Sequence, residues 1–338
     1  DGSKIIYSYT NHSQIKDEPS VASFSLGINN ELYNKYTSKE LDRGLLESVQ
    51  YYNNTNELLR KEAFTYHSDL SCYLKTINRY ALTGGMPIRV SANKIYTYYP
   101  FLEKKATTHY TGKQSVVETE EYEYNKYRLL TRTKKSVEGS NHDDNYIMNT
   151  KYLSDLMDEY NSISSAPITN DSPLKTYDIM RSKGMLALPV ETTTIRAGDV
   201  ISANVITYKN SLGNIVCDKI YKLETNTPLK NYSSFKLLNS NQFMIDEKCS
   251  VDVEYMNYDT HGNPVSVVNQ KGDSIVSIWG YNGQYPVAVF KNAMNSTFIE
   301  SKSILTPSQA PELRTNYYND VFYENFEESS KATSSGFN

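Results

Sequence analysis

Hydrophobic and polar residues alternate with a period of two over much of the chain. Glu118–Tyr124 places both of its tyrosines on one face of an extended strand, and Val251–Tyr255 does the same with two valines and a tyrosine. Three more stretches share this alternation: Lys94–Tyr99, Ser202–Tyr208 and Ser274–Trp279. Clusters of Asn, Gly and Asp separate these short segments, which is typical of consecutive antiparallel hairpins. The pattern predicts an all-β, mainly antiparallel fold built as an extended sheet of stacked hairpins.

A helical period replaces this alternation near the middle of the chain. Tyr152–Tyr160 carries apolar residues at helical spacing. These residues are Leu153, Leu156, Met157 and Tyr160. Ser172 and Pro173 offer an N-cap followed by proline at the first helical position, and Gly184 is suited to follow the end of that helix. The chain is therefore predicted to contain a short helical connector over residues 151–185.

Composition changes along the chain predict four regions. Residues 1–150 form an N-terminal Tyr-rich antiparallel β region, followed by the helical connector 151–185 and a second β region over residues 186–300. Residues 301–338 are predicted to be a linker and the start of a following β module, because Leu305–Pro311 contains two prolines in a polar stretch.

Tyrosine dominates the aromatic residues, with 30 Tyr against 10 Phe and 1 Trp in 338 residues. Without tyrosine but with glycine, roughly a third of the chain is apolar, whereas globular domains reach about 45–50%. Tyrosine must therefore supply much of the buried area, and it favours strands. The net charge of -4 excludes a strong electrostatic case for nucleic-acid binding. No run of 18 apolar residues occurs, so no membrane span is predicted in this segment.

One short pattern recurs: a tyrosine, a polar turn, and then apolar residues. Its clearest copy is Tyr258–Val265, with a looser partner at Tyr208–Val216 and more degenerate copies at Tyr52–Leu59 and Tyr124–Leu130. Asp or Asn can start such a turn by accepting a hydrogen bond from its own following backbone, and glycine takes the positive φ that the turn needs. The tyrosine ring then packs on the neighbouring hairpin while its hydroxyl reaches solvent or a carbonyl.

The most specific motif pairs the Tyr-Asp-x-x-Gly-Asn turn with the run Trp-Gly-Tyr-Asn-Gly-Gln-Tyr-Pro, which begins at Trp279. Together these resemble the Rhs/YD-repeat family, and most closely the variant in large exported or surface proteins of Gram-negative anaerobes. The similarity is strong over about residues 184–293 and looser over 1–150. The residues that carry it are Tyr258, Asp259, Gly262, Asn263, Trp279, Gly280, Tyr281, Asn282 and Gly283.

This resemblance implies a spiralling YD-repeat-like sheet, which in the family sometimes forms a shell around a toxin segment. It also implies a non-enzymatic scaffold in a larger protein that is secreted from, or displayed on, a Gram-negative bacterium. Its partners would be neighbouring domains of the same polypeptide. The repeats here are few and degenerate, and Val321–Glu327 instead looks like the opening strand of a separate β-sandwich. We therefore expect a piece of a longer protein.

No residue pattern in the sequence predicts a catalytic, cofactor or metal site. The five histidines lack the spacing of a metal pair. Asn141–Asn145 offers oxygen ligands for calcium, but a polar hairpin tip accounts for it better. Cys72, Cys217 and Cys249 lack metal spacing, and either a Cys217–Cys249 bridge or three reduced thiols would fit. Ser172 precedes Lys175 at an acyl-enzyme spacing, but the helix cap explains it better.

Two alternatives to the scaffold remain open. Exposed Tyr and Trp rings, such as Trp279 with Tyr281 and Tyr285, could bind a glycan or peptide, whereas in the other interpretation Trp279 is a buried hairpin anchor. A glycoside hydrolase would need two carboxylates across a cleft. The run Glu118–Glu123 is rich in carboxylates but is better explained as a solvated strand face paired with Lys and Arg.

Overall fold

The computed structural model describes residues 2–19, 36–67, 76–83, 89–97, 100–139, 145–163, 168–238 and 242–292. Fourteen strands form the main sheet, with three two-stranded sheets and two short α-helices beside it. The predicted, mainly antiparallel β class with a short helical segment is confirmed. Several sequence predictions lie outside the described residues. They concern Cys72, the end of the predicted strand Lys94–Tyr99, all but the last residue of the Asn141–Asn145 hairpin tip, Leu305–Pro311, Val321–Glu327 and the 301–338 module as a whole.

The first compact unit spans Asp1–Met148. Its strands are, in chain order, β1 (Lys4–Tyr9), β2 (Glu18–Pro19), β3 (Tyr36–Thr37), β4 (Leu46–Tyr52), β5 (Leu58–Tyr66), β6 (Thr76–Thr83), β7 (Arg89–Tyr96), β8 (Leu102–Thr111), β9 (Gln114–Tyr124) and β10 (Leu130–Val137). A 3-10 turn, Glu40–Asp42, precedes β4. In the main sheet β1, β4, β5, β8, β9 and β10 lie side by side in chain order. The pairs β2–β3 and β6–β7 form small sheets of their own.

The second compact unit spans Asn149–Asn338, and β11 (Tyr146–Tyr152) runs into it. Its further elements are α1 (Leu153–Ile163), α2 (Lys175–Ser182), β12 (Pro189–Arg196), β13 (Asp199–Ser211), β14 (Asn214–Leu223), β15 (Lys236–Leu238), β16 (Gln242–Met244), β17 (Cys249–Tyr258), β18 (Pro264–Asn269), β19 (Ser274–Gly280) and β20 (Tyr285–Lys291). Strands β12, β13, β14, β17, β18, β19 and β20 are neighbours in that order, while β15 and β16 pair separately.

The main core of the second unit lies between its two helices and the strands β12 and β13. The apolar stripe predicted for α1 is buried, at 0–3% exposure: Leu153, Leu156, Met157 and Tyr160. Tyr177 and Met180 of α2 pack into the same cluster, together with Val190, Val205 and Phe235. The helical period of the sequence thus marks a helix pair that covers one face of antiparallel strands.

Helix α2 begins two residues later than the sequence predicted, at Lys175 instead of Pro173. The Oγ of Ser172 accepts a hydrogen bond from the N–H of Leu174, at 3.0 Å, so the expected cap residue closes the turn that leads into the helix. The N–H of Tyr177 bonds the carbonyl of Leu174, three residues back, which makes this entry tighter than an α-helix. Gly184 follows the helix with a φ of +72°, as its C-terminal role requires.

Candidate functional site

The Tyr-Asp-x-x-Gly-Asn motif forms the turn between β17 and β18. The backbone N–H of Asp259 donates to the carbonyl of Asn263 at 3.0 Å, and its Oδ1 accepts the N–H groups of His261 and Asn263 at 2.9 and 2.8 Å. Gly262 takes the left-handed conformation, with φ +85°. Partial burial alone would raise the pKa of Asp259, but hydrogen bonds from Asn263 and His261 hold this pKa below its ordinary value. The carboxylate is therefore an internal brace of the turn.

Three further turns repeat this hydrogen-bond pattern: Asn53–Glu57, Asn125–Leu129 and Asn269–Asp273. In each, the first residue exchanges backbone hydrogen bonds within the turn and its side-chain oxygen accepts the N–H of the fifth residue. The fourth residue is left-handed in each: Asn56, Arg128 and Gly272. The sequence analysis missed the Asn269 turn because no tyrosine precedes it, although its Asn-x-x-Gly-Asp spacing is a usable signal.

The looser copy near Tyr208 is a different kind of turn. Ser211 pairs with Asn214, so only Leu212 and Gly213 lie between the strands β13 and β14. Both have positive φ, +52° and +85°, as a two-residue type I′ hairpin demands. Tyr208 itself lies inside β13 rather than at the turn. The likeness in sequence therefore reflects a shared Gly-Asn ending and not a shared turn.

Amide side chains join three of the turns of the second unit in a row. The Nδ2 of Asn214 donates to the carbonyl of Thr260 at 2.9 Å, and the Nδ2 of Asn263 donates to the carbonyl of Gly283 at 2.6 Å. The His261 ring rests on Gly283, where an added Cβ would lie 2.6 Å from Nδ1. We call this row, with its donors Asn214 and Asn263, the amide ladder. It fixes each hairpin turn against the next.

Trp279 lies half-buried in β19, opposite Pro286 of β20, and its indole N–H donates to the carbonyl of Pro264 at 2.9 Å. Tyr281 and Tyr285 remain exposed by 38% and 61%, and their ring planes stand at 86° with centroids 5.8 Å apart. These two rings therefore form no flat stacking platform. A side chain at Gly280 would meet Val287 at 2.6 Å, which explains the glycine beside the tryptophan.

In the part of the chain that the structure describes, four tyrosine hydroxyls donate across the sheet to a backbone carbonyl of the neighbouring strand. Their donor and acceptor pairs are Tyr66 to Leu46 (3.1 Å), Tyr124 to Leu102 (2.9 Å), Tyr208 to Pro189 (3.0 Å) and Tyr258 to Cys217 (2.5 Å). We call these four contacts the tyrosine clamps. The first three acceptors are the first residues of their strands, and Tyr66, Tyr124 and Tyr258 are the last residues of theirs. Burial raises the pKa of Tyr124, Tyr208 and Tyr258, with Tyr208 at about 12.

The carboxylates of β9 face cations of β10. The three pairs are Glu120 with Lys135 (3.5 Å), Glu121 with Lys134 (3.1 Å) and Glu123 with Arg132 (3.3 Å). On the other side of β9, Lys104 and Lys105 of β8 stand opposite Glu121 and Glu120. This run is a ladder of cross-strand ion pairs, and its carboxylates face lysine and arginine rather than one another across a cleft.

The buried carboxylate of Glu191 has a role that the sequence analysis did not find. Glu191 of β12 is 4% exposed and accepts hydrogen bonds from the Tyr232 hydroxyl (2.7 Å), the Phe235 N–H (2.8 Å) and the Ser234 hydroxyl. Burial and the Glu191 charge raise the pKa of Tyr232. Residues 232–238, which we call the strap, are held over the helical core in this way. No local pattern around Glu191 distinguishes it from a surface glutamate.

Cys217 and Cys249 are free thiols, so the alternative of a bridge between them is not realised. Burial raises the pKa of each to about 11, which keeps both protonated and weakly nucleophilic at neutral pH. Over the ranges that the structure describes, no group of three or more His, Cys, Asp or Glu is placed to hold a metal ion. Within the same ranges, no helix combines the length and apolar character needed to cross a bilayer.

No protein-family model matches the chain, and no curated protein matches it either. Among solved structures it is similar to TcdB2-TccC3-TEV, at 10% identity and a TM-score of 0.33, and to TcdB2-TccC3, at 8% identity and 0.33. These matches cover 82% and 77% of this chain but only 13% of the TcdB2-TccC3 chains. A porin-like protein from Bacteroides uniformis matches 72% of this chain and 88% of its own, at 11% identity and a TM-score of 0.17. Likenesses at this level identify neither a family nor an activity.

Proposed function

We propose that the chain is a non-enzymatic β scaffold, a segment of a larger secreted or cell-surface YD-repeat-like protein that supports or presents neighbouring modules. The family assignment rests on the Tyr-Asp-x-x-Gly-Asn turn and the Trp279–Pro286 run. The partners are other domains of the same polypeptide, and the setting is the exterior of a Gram-negative bacterium.

The observation that carries this proposal is that tyrosine hydroxyls form hydrogen bonds between neighbouring strands. The tyrosine clamps direct four of them to carbonyls of neighbouring strands. A binding or catalytic surface needs such polar groups turned toward a ligand, whereas these are committed to joining strands. The β9–β10 ion pairs and the amide ladder have the same character, because each connects one strand or turn to the next.

The presenting role is tested by inserting a small folded domain into a turn. Between Gly112 and Lys113, where both residues are exposed and nothing lies within 4 Å of the Gly112 Cβ position, we expect Tm to stay within about 2 °C and the insert to fold. The matched insertion between Thr260 and His261 interrupts the amide ladder and should lower Tm by several times as much. Equal losses at both sites would contradict the proposal. So would a catalytic activity that one substitution abolishes without lowering stability.

One observation favours glycan or peptide binding as a second candidate. Tyr7 and Tyr9 of β1 are exposed by 53% and 49%, their planes differ by only 16° and their centroids are 6.5 Å apart. Near-parallel exposed rings suit stacking against sugar faces. A glycan-array signal that disappears in Tyr7→Ala and Tyr9→Ala but persists in Tyr285→Ala would support this function. If none of the three substitutions abolished the glycan signal, stacking on Tyr7 and Tyr9 would be excluded as the binding mode.

A further inference from the structure

The outer edge of β20 has no partner among the described strands, since β20 ends the order of the main sheet. The N–H of Asn292 points inward, to the carbonyl of Ser274 at 2.6 Å. Because backbone direction alternates along a strand, the N–H of Phe290 also faces β19, while those of Val289 and Lys291 face outward. Val287 and Val289 are 44% and 57% exposed beside this edge. Such an edge is a template for another strand.

Among the residues that the structure describes, the last turn of the amide ladder also lies at this edge. Asn214 and Asn263 each follow a left-handed glycine and reach the carbonyl of a later turn. Gln284 occupies the corresponding place after the left-handed Gly283, and its side chain is exposed. Over the described residues this side chain makes no hydrogen bond. A donor of the same chemical type is thus presented where a further turn would lie.

We propose that the outer edge of β20 is the docking site for a strand supplied by residues 293–338 of this same chain. In each unit the strands that enter the main sheet are neighbours in chain order, so the next strand of the chain to enter this sheet belongs beside β20. Asn292, directly after β20, has a φ of +56°, the conformation that begins or closes hairpin turns elsewhere in the chain. Residues 293–338 far exceed the 7 residues of β20. This inference does not depend on the scaffold role.

The occupancy of this edge can be examined by amide hydrogen exchange on the full chain. We expect the N–H groups of Val289 and Lys291 to be protected to within about tenfold of Phe290, because a bound strand would hold them in the same way. This protection should be unchanged on twentyfold dilution. Exchange of Val289 and Lys291 at the rate of an unstructured amide, with Phe290 protected, would overturn the proposal. Protection that is lost on dilution would also overturn it, since a second copy would then be the occupant.

Photo-cross-linking identifies the occupant directly. A benzoylphenylalanine placed at Val289 of the full chain should cross-link to peptides from residues 293–338. The matched control is the same probe at Glu118 of β9, which is exposed but is paired on both sides, with Thr107 of β8 and Val137 of β10. Cross-links from position 289 only to another molecule, or cross-links to 293–338 that are equally strong from both positions, would show the assignment to be wrong.

Discussion

The hydroxyl of Tyr124 donates a hydrogen bond to the backbone carbonyl of Leu102, 2.9 Å away on the adjacent strand. Tyr124 ends β9 and Leu102 begins β8, so the contact fastens the end of a hairpin where fraying would start. Tyr208 makes the same kind of contact with Pro189 in the other unit. The tyrosine clamps give a physical reason for an aromatic composition dominated by Tyr, because phenylalanine would supply the ring but not the donor.

Replacing Tyr124 by Phe should lower the free energy of unfolding by about 0.5–1.5 kcal/mol, the usual cost of one lost intramolecular hydrogen bond. The Leu102 carbonyl would lose its side-chain donor while ring packing is kept. Urea denaturation measures the difference. The control is Tyr9→Phe, because Tyr9 is half exposed and stacks on Tyr7, and it should change stability by less than about 0.5 kcal/mol. Equal effects of the two changes would mean that the clamp contributes nothing.

Sequence analysis predicted the strands, the helix and the turn that are determined by residues close together in the chain. Alternation marked β9, β13, β17 and β19, and the helical period marked α1, because a face that must be buried imposes its own spacing. The Asp259 turn was predictable for a similar reason, since its Asx brace and left-handed glycine lie within five residues. The residues of such a turn form hydrogen bonds with their own sequence neighbours, so a short window of sequence is enough to predict the turn.

The contacts missed by sequence analysis join residues far apart in the chain. Glu191 is separated by 41 residues from Tyr232, and Asn263 by 20 from Gly283. Nothing near Glu191 reveals that a strap will bring three donors to it. The turn near Tyr208 was mistaken for a copy of the Asp259 turn, because spacing alone does not separate a two-residue hairpin from a braced five-residue turn.

Replacing Glu191 by Gln should destabilise the second unit by about 2–3 kcal/mol, because the amide cannot accept from all the buried donors that the carboxylate serves. The strap residues 232–238 should then exchange their amide hydrogens faster than the helices do. The matched change is Glu254→Gln, which affects a partly exposed pair with Lys219 at 2.9 Å and should cost less than about 1 kcal/mol. A loss at Glu191 no larger than that at Glu254 would show that the buried network is not stabilising.

Gly272 and Gly283 share a left-handed backbone conformation. Comparing alanine substitutions at the two positions therefore distinguishes the cost of backbone strain from the cost of a side-chain collision. Gly272 has φ +85° with nothing within 4 Å of a Cβ position, so Gly272→Ala should cost only the left-handed penalty, about 1–2 kcal/mol. Gly283 has φ +77°, but its added methyl would collide with the ring of His261. Gly283→Ala should therefore cost clearly more in thermal unfolding. Adding His261→Ala should recover the excess, and no recovery would refute the packing explanation.

The buried phenols predict how stability depends on alkaline pH. Burial raises the pKa of Tyr208 from 10.0 to about 12, so the folded state favours the neutral phenol. The resulting contribution to stability is complete below pH 10, where both states hold the proton, and is lost as pH rises toward 12, where the unfolded chain releases it first. Cys217 and Cys249, whose pKa burial raises from 9.0 to about 11, lose their contribution in the same way from about pH 9. The free energy of unfolding in urea should therefore begin to fall near pH 9 and fall more steeply above pH 10. Tyr208→Phe removes one titrating group, so its stability should fall less steeply in that interval. Parallel curves for the two proteins between pH 10 and 12 would mean that Tyr208 does not titrate with folding.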